Sequence, residues 1–170
     1  MKPVKVYIGW SRGKAIVSRL IRWLDGGRFN HVFLRFVFAD GSSLIYESHI
    51  KGGVQITPTS RFMKAFKSGK VDDYCEFPLT EIASDAQKIW NNCEKLHGKG
   101  YDRFRILTYY LWIRFTRRKG KRILKLHSKN RYTCNEFVCH GASTEPEFRH
   151  TDYSLTIEPL YVKFWGHPSK

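Results

Sequence analysis

The stretch Arg131-Tyr132-Thr133-Cys134-Asn135-Glu136-Phe137-Val138-Cys139 puts a cysteine where a loop runs into an apolar-periodic helix. Thr133 suits the N-cap, because its hydroxyl can accept an orphan N–H of the first turn. Phe137, Val138 and Ala142 then supply a buried helix face. A cysteine at a helix N-terminus feels the positive end of the macrodipole, which favours thiolate over thiol. Cys134 is therefore the candidate nucleophile. The competing reading is a buried structural cysteine, since free cysteines are among the most buried residues.

A thiol that attacks a carbonyl needs a base, a group to hold the base's other nitrogen, and donors for the oxyanion. His31 is the first candidate base, because it opens an apolar, aromatic-rich strand. Glu47 lies on the return strand of the same hairpin and could hold the second ring nitrogen. Alternation puts His49 on the same face as Glu47, so either can be the third group. His140 falls beyond the helix start and does not reach back to Cys134. His127 sits in a basic loop and is a weak competitor. The backbone N–H of Cys134 is the natural oxyanion donor.

These side chains need a scaffold, and the pattern supplies one. Val4 to Trp10 alternates as a first strand, and Ser11-Arg12-Gly13 is expected to break it. Ile16, Val17, Leu20, Ile21 and Leu24 follow a helical period with Arg19 and Arg22 on the other face, and Asp25-Gly26-Gly27 ends that helix. Phe29 to Phe38 and Ser43 to His49 form a hairpin about Ala39-Asp40-Gly41-Ser42. Gly52-Gly53 leads into a strand over Val54 to Thr57. A short helix over Ser60 to Lys67 and a strand over Tyr74 to Leu79 follow. The next helix carries Ile82, Ala86, Ile89, Trp90, Cys93 and Leu96 on its apolar positions and stops at Gly98 and Gly100. Phe104 to Phe115 reads as a largely buried helix, and Leu155 to Tyr161 as a closing strand or short helix. No internal repeat or second domain is visible.

The chain has 170 residues, 42% of them hydrophobic and 15% aromatic, enough for one domain with a real core. No stretch has the length of a membrane span, and the N-terminus lacks the pattern of a secretory signal, so a cytoplasmic location is expected. The small, basic, signal-free chain is compatible with a bacterial or phage protein. Cys75, Cys93, Cys134 and Cys139 include no CxxC pair, so neither a zinc site nor a disulfide framework is expected. No cofactor is called for. The formal charge of +15 points to polyanionic neighbours: nucleic acid, anionic lipid or an acidic wall polymer. Much of it lies in a basic insertion or loop over about 116–131 that leads directly into Cys134. Arg117, Arg118, Lys121, Arg122 and Arg131 are its candidate substrate- or polyanion-facing residues; the competing reading is a solvated loop.

Four segments in order resemble the circularly permuted NlpC-like cysteine hydrolases of papain-like fold, the YiiX/YaeF-like amidases among them. Phe29-Asn30-His31-Val32 resembles the family's aromatic-Ser-His strand start, and Leu44-Ile45-Tyr46-Glu47-Ser48 its return strand. Gly98-Lys99-Gly100-Tyr101-Asp102 resembles its Gly-Lys-x-Tyr-Asp segment, and Tyr132-Thr133-Cys134-Asn135-Glu136-Phe137-Val138 its cysteine box. Asn30 replaces the usual Ser, and Leu34 stands where a small residue would follow. The resemblance implies an α+β, papain-like fold over 1–170, with a small antiparallel sheet packed against helices. It also implies Cys134 as nucleophile, His31 as base and Glu47 as orienting group. The expected activity is amide, thioester or ester cleavage or acyl transfer through an acyl-cysteine, on cell-wall peptides or lipidated substrates. The alternative is a basic nucleic-acid-binding or interaction protein on a catalytically unused fold; the aromatics Tyr109, Tyr110, Trp112 and Phe115 would serve it, but their helical period makes them more simply core.

Overall fold

The computed structural model describes residues 2–25, 27–104, 106, 108 and 130–143. Its centre is a five-stranded antiparallel sheet of order β4-β3-β2-β1-β5. The strands are β1 (Pro3–Gly13), β2 (His31–Phe38), β3 (Ser43–His49), β4 (Gly53–Pro58) and β5 (Val71–Thr80). The helices are α1 (Ile16–Asp25), α2 (Thr59–Lys67), α3 (Ala83–Leu96) and α4 (Cys134–Gly141). Two short strands, β6 (Gly100–Tyr101) and β7 (Arg131–Tyr132), pair in parallel just ahead of α4.

Alternation along the strands decides which side is the core. Val6, Ile8 and Trp10 of β1 and Val32, Leu34, Phe36 and Phe38 of β2 are buried on one face. Ala86, Ile89, Cys93 and Leu96 of α3 and Phe137, Val138 and Cys139 of α4 complete that core. Leu34, the large residue at a position expected to be small, has room because Gly141 faces it. A Cβ on Gly141 would stand 2.8 Å from Cys93 Sγ and 3.2 Å from Leu34 Cδ1. On the other face, Phe33 packs on Phe62 of α2 with ring centroids 5.1 Å apart.

The helices and strands fall close to the expected spans, with instructive departures. β1 does not stop at Ser11. It runs to Gly13, because Ser11 pairs with both His31 and Tyr74 and Arg12 pairs with Asp73. The Arg12–Asp72 ion pair, at 2.8 Å, fastens the extension.

The larger departure is α1. Arg19 and Arg22 were expected outward, and Arg19 is exposed, yet Arg22 turns in: a guanidinium N–H donates to Gly13 O at 2.7 Å and to Asn30 Oδ1 at 3.0 Å. Asn30 Oδ1 also accepts from Gly13 N at 2.8 Å, so the residue that replaces the expected Ser clamps the helix to the sheet. Ile16, Leu20 and Trp23 consequently face outward, 84%, 51% and 72% exposed. Ile82, expected on the apolar face of α3, precedes that helix and is also exposed. The helix expected over Phe104 to Phe115 lies mostly outside the described residues, as do Leu155 to Tyr161 and the basic stretch 116–129.

Candidate active site

The antiparallel order gathers the C-terminal ends of β1 and β3 and the N-terminal ends of β2, β4 and β5 at one end of the sheet. His31 opens β2 there, and Glu47 and His49 close β3 beside it. Glu47 Oε2 meets His31 Nε2 at 2.7 Å. His49 lies edge-on to His31, with ring centroids 6.1 Å apart. Of the two alternatives for a ring partner, the carboxylate is the one in hydrogen-bond contact.

Cys134 reaches the same end by a different route. Gly53, the first residue of β4, has φ +69, and a Cβ there would collide with Lys99 O. The close approach lets Val54 N donate to Lys99 O at 2.7 Å and Gly98 N donate to Val54 O at 2.9 Å. The segment so docked becomes β6, which carries β7 by parallel pairing. Ser48 Oγ on β3 donates to Tyr132 O at 2.7 Å and pins β7 from the other side. Thr133 then caps α4 with a full capping box: its Oγ1 accepts from Glu136 N at 3.3 Å, and its N donates to Glu136 Oε2 at 3.0 Å. Cys134 is thereby the first residue of the helix, 6% exposed, with its backbone N–H among the first-turn donors.

Electrostatics link the three side chains. Burial works against a charged His31, but hydrogen bonds to Cys134 and Glu47 and the charges of both outweigh it and push the ring up to about 10. Nε2 is the ring nitrogen that Glu47 holds. Burial also works against Glu47 as an anion, yet His31 and the Thr57 hydroxyl hold it down to about 2. Thr57 Oγ1 donates to Glu47 Oε1 at 2.6 Å. His49 is lowered, first by burial and then by the positive charge of His31. At neutral pH the His31 ring is therefore cationic and is held against an ionised Glu47.

Thr57 was not singled out in the sequence. It pairs across from Ile45 and reaches Glu47 diagonally, so only the β3–β4 register reveals it. Arg131 is exposed and lines an open groove of about 440 Å³ with Ile50, Lys51, Gly53, Tyr101 and Arg103. Arg117, Arg118, Lys121, Arg122 and His127 lie outside the described residues. His140 packs against Tyr132 with ring centroids 5.3 Å apart. All four cysteines are free thiols.

No family model matches the chain, and no curated protein matches it in sequence. Among solved structures it is similar to a protein described as metalloprotein YiiX, from Escherichia coli O157:H7. The TM-score is 0.60 at 17% identity, over 94% of this chain and 78% of that one. The chain therefore has a YiiX-like α+β fold. Among the described residues no group of three His, Cys, Asp or Glu side chains is placed to hold a metal ion. Nor, among them, is any helix long and apolar enough to cross a membrane.

Proposed function

We propose that the chain is a permuted papain-like thiol enzyme, a hydrolase or acyltransferase acting on an amide, thioester or ester through an acyl-cysteine. What supports this reading is the His31 imidazole, held at Nε2 by Glu47 at 2.7 Å and raised by Glu47 and by Cys134, the residue that opens α4. A cationic ring beside a sulfur is the setting in which a thiolate persists at neutral pH. The sulfur attacks the carbonyl carbon and an S–C bond forms as the carbonyl π pair moves onto oxygen. That oxygen is stabilised by first-turn N–H groups of α4, with Cys134 N–H foremost. His31 Nδ1 gives its proton to the leaving amine, alcohol or thiol, and the C–X bond breaks to leave an acyl-cysteine. Water, or another acceptor, then attacks the thioester while His31 takes its proton. Collapse expels the sulfur and restores the starting pair.

Glu47 keeps the ring in one orientation and stabilises its positive charge; Thr57 holds Glu47. The YiiX-like fold and the order of the four family-like segments agree with this reading. The test is turnover on a panel of activated esters, thioesters and peptide amides. Wild type should acylate at Cys134, with an intact-mass increase equal to the acyl group, and Cys134→Ala should abolish both adduct and turnover. Turnover that survives Cys134→Ala refutes the proposal.

A further inference from the structure

We propose that the end of the sheet that carries Cys134 and His31 docks on an anionic lipid bilayer, with α1 lying in the membrane interface. The first observation is the orientation of α1, which turns Arg22 toward the sheet and leaves three large apolar side chains in solvent. Positions 16, 20 and 23 fall on one stripe of a 3.6-residue helix, and Ile16, Leu20 and Trp23 are 84%, 51% and 72% exposed. The polar anchor is on the other side: Arg22 is held by Gly13 O and Asn30 Oδ1, so the helix is fixed with its apolar stripe outward. A helix of 10 residues is about 15 Å long. That is too short to span a bilayer, but it suits an element that sinks one face into the headgroup–acyl boundary, where Trp is favoured.

The second observation is the charge around that stripe. α1 joins the end of β1 to the start of β2, so it sits at the catalytic end of the sheet. Lys14, Arg19 and Lys70 are exposed on its side of that end. Lys51, Arg103 and Arg131 are exposed on the opposite side, around the groove. No ion pair among the described residues engages any of these six cations. The acidic residues at the start of β5 are already engaged: Asp72 with Arg12 and Asp73 with Arg28.

An apolar stripe flanked by cations with no carboxylate partner among the described residues, Arg103 donating only to Ile50 O, complements anionic headgroups over acyl chains. A second copy of the chain is a poor occupant, because two bodies of charge +15 would meet through their basic rims. Nucleic acid would satisfy the cations and leave Ile16, Leu20 and Trp23 in water. The orientation turns the mouth of the site toward the bilayer. Resting on the hydrolase or acyltransferase reading, the substrate class is then an acyl compound held at a membrane surface.

The test is co-sedimentation of the full chain with phosphatidylcholine vesicles containing about 30% phosphatidylserine, in about 0.1 M salt. Wild type should bind. Ile16→Ser/Leu20→Ser/Trp23→Ser should lose at least about tenfold in partition coefficient, and Lys51→Glu/Arg131→Glu a similar factor. Lys2→Glu/Lys5→Glu, at the other end of β1, should stay within about twofold. Thermal melts confirm that each variant is folded, and Trp23→Ala alone carries the reading if the triple variant is not. The proposal is overturned if wild type ignores the vesicles or if the serine variant binds unchanged. It is also overturned if the Lys2/Lys5 reversal costs as much as the Lys51/Arg131 one, or if the stripe serves only to dimerise the chain. Cys134→Ala should bind vesicles as wild type does, and the wild-type chain separates the two proposals. Wild-type vesicle binding without acyl turnover sinks the enzyme alone; wild-type turnover of soluble acyl donors without vesicle binding sinks the surface alone.

Discussion

Glu47→Gln removes the charge that faces His31 and leaves a side chain of nearly the same shape. In the intact site, His31 is pushed from 6.5 to about 10 against the cost of burial, by Cys134 and Glu47 together. An opposite charge within a few ångströms shifts a group by roughly 1–3 units, or about 1.4–4 kcal/mol. The 2.7 Å contact puts Glu47 toward the upper part of that range. The ring in the variant should therefore titrate near about 7 to 8.

Stability follows from the same shift. A histidine raised on folding stabilises the native state fully below 6.5, and that stabilisation is lost as pH rises from 6.5 to about 10. The wild-type urea midpoint, measured with reductant present, should decline across that window. In Glu47→Gln the part of this decline due to His31 should be complete by about pH 8. Histidine ring NMR gives the titration directly. A shift in His31 of less than about half a unit on losing Glu47 would refute the reasoning, because the carboxylate would then not be what holds the ring charged.

Thr57→Val removes the 2.6 Å hydrogen bond to Glu47 Oε1 and should cost roughly 1–3 kcal/mol by denaturant titration. It should also raise Glu47 from about 2, so that the acid loss of stability, which begins as pH falls below 4.5, is complete at a higher pH than in wild type. His49→Ala should leave the labelling rate of Cys134 within about threefold of wild type. Its ring only meets that of His31 edge-on, whereas Glu47 holds the nitrogen. Gly53→Ala places a Cβ against Lys99 O at φ +69 and should lower stability by roughly 1–3 kcal/mol in thermal melts, with partial loss of labelling as β6 and β7 shift.

The candidate site was legible because its residues occupy positions that local rules expose. A capping Thr followed three residues later by Glu marks the start of α4 and places Cys134 there. Period-2 alternation puts Glu47 and His49 on one face, and hairpin pairing brings that face to His31. Alternation does not choose between them; the contact at Nε2 does.

What stayed hidden depends on tertiary partners. The helical period of Ile16, Leu20 and Arg22 is the same whichever face points inward. The choice was made by Asn30 and the carbonyl of Gly13, two acceptors far from any hydrophobic pattern. β1 outruns its Ser11-Arg12-Gly13 break because strands on both sides continue to pair with it. Thr57 depends on a cross-strand diagonal, and the pairing of β6 with β7 is too short to leave a periodic signal.

The four thiols give the most direct test of the central claim. Cys75 is the more exposed of the candidates for a reagent, but burial pushes its thiol up to about 11; Cys93 is fully buried, and burial raises it too. Exposure alone therefore favours labelling at Cys75, while the proposed ion pair favours Cys134. The decisive measurement is peptide-mapped alkylation of the folded protein by iodoacetamide at pH 7, with and without His31→Ala. The account predicts one fast adduct, on Cys134, slowed at least about a hundredfold by His31→Ala. Labelling led by Cys75, or a Cys134 that reacts only after unfolding or reacts as fast without His31, would contradict it.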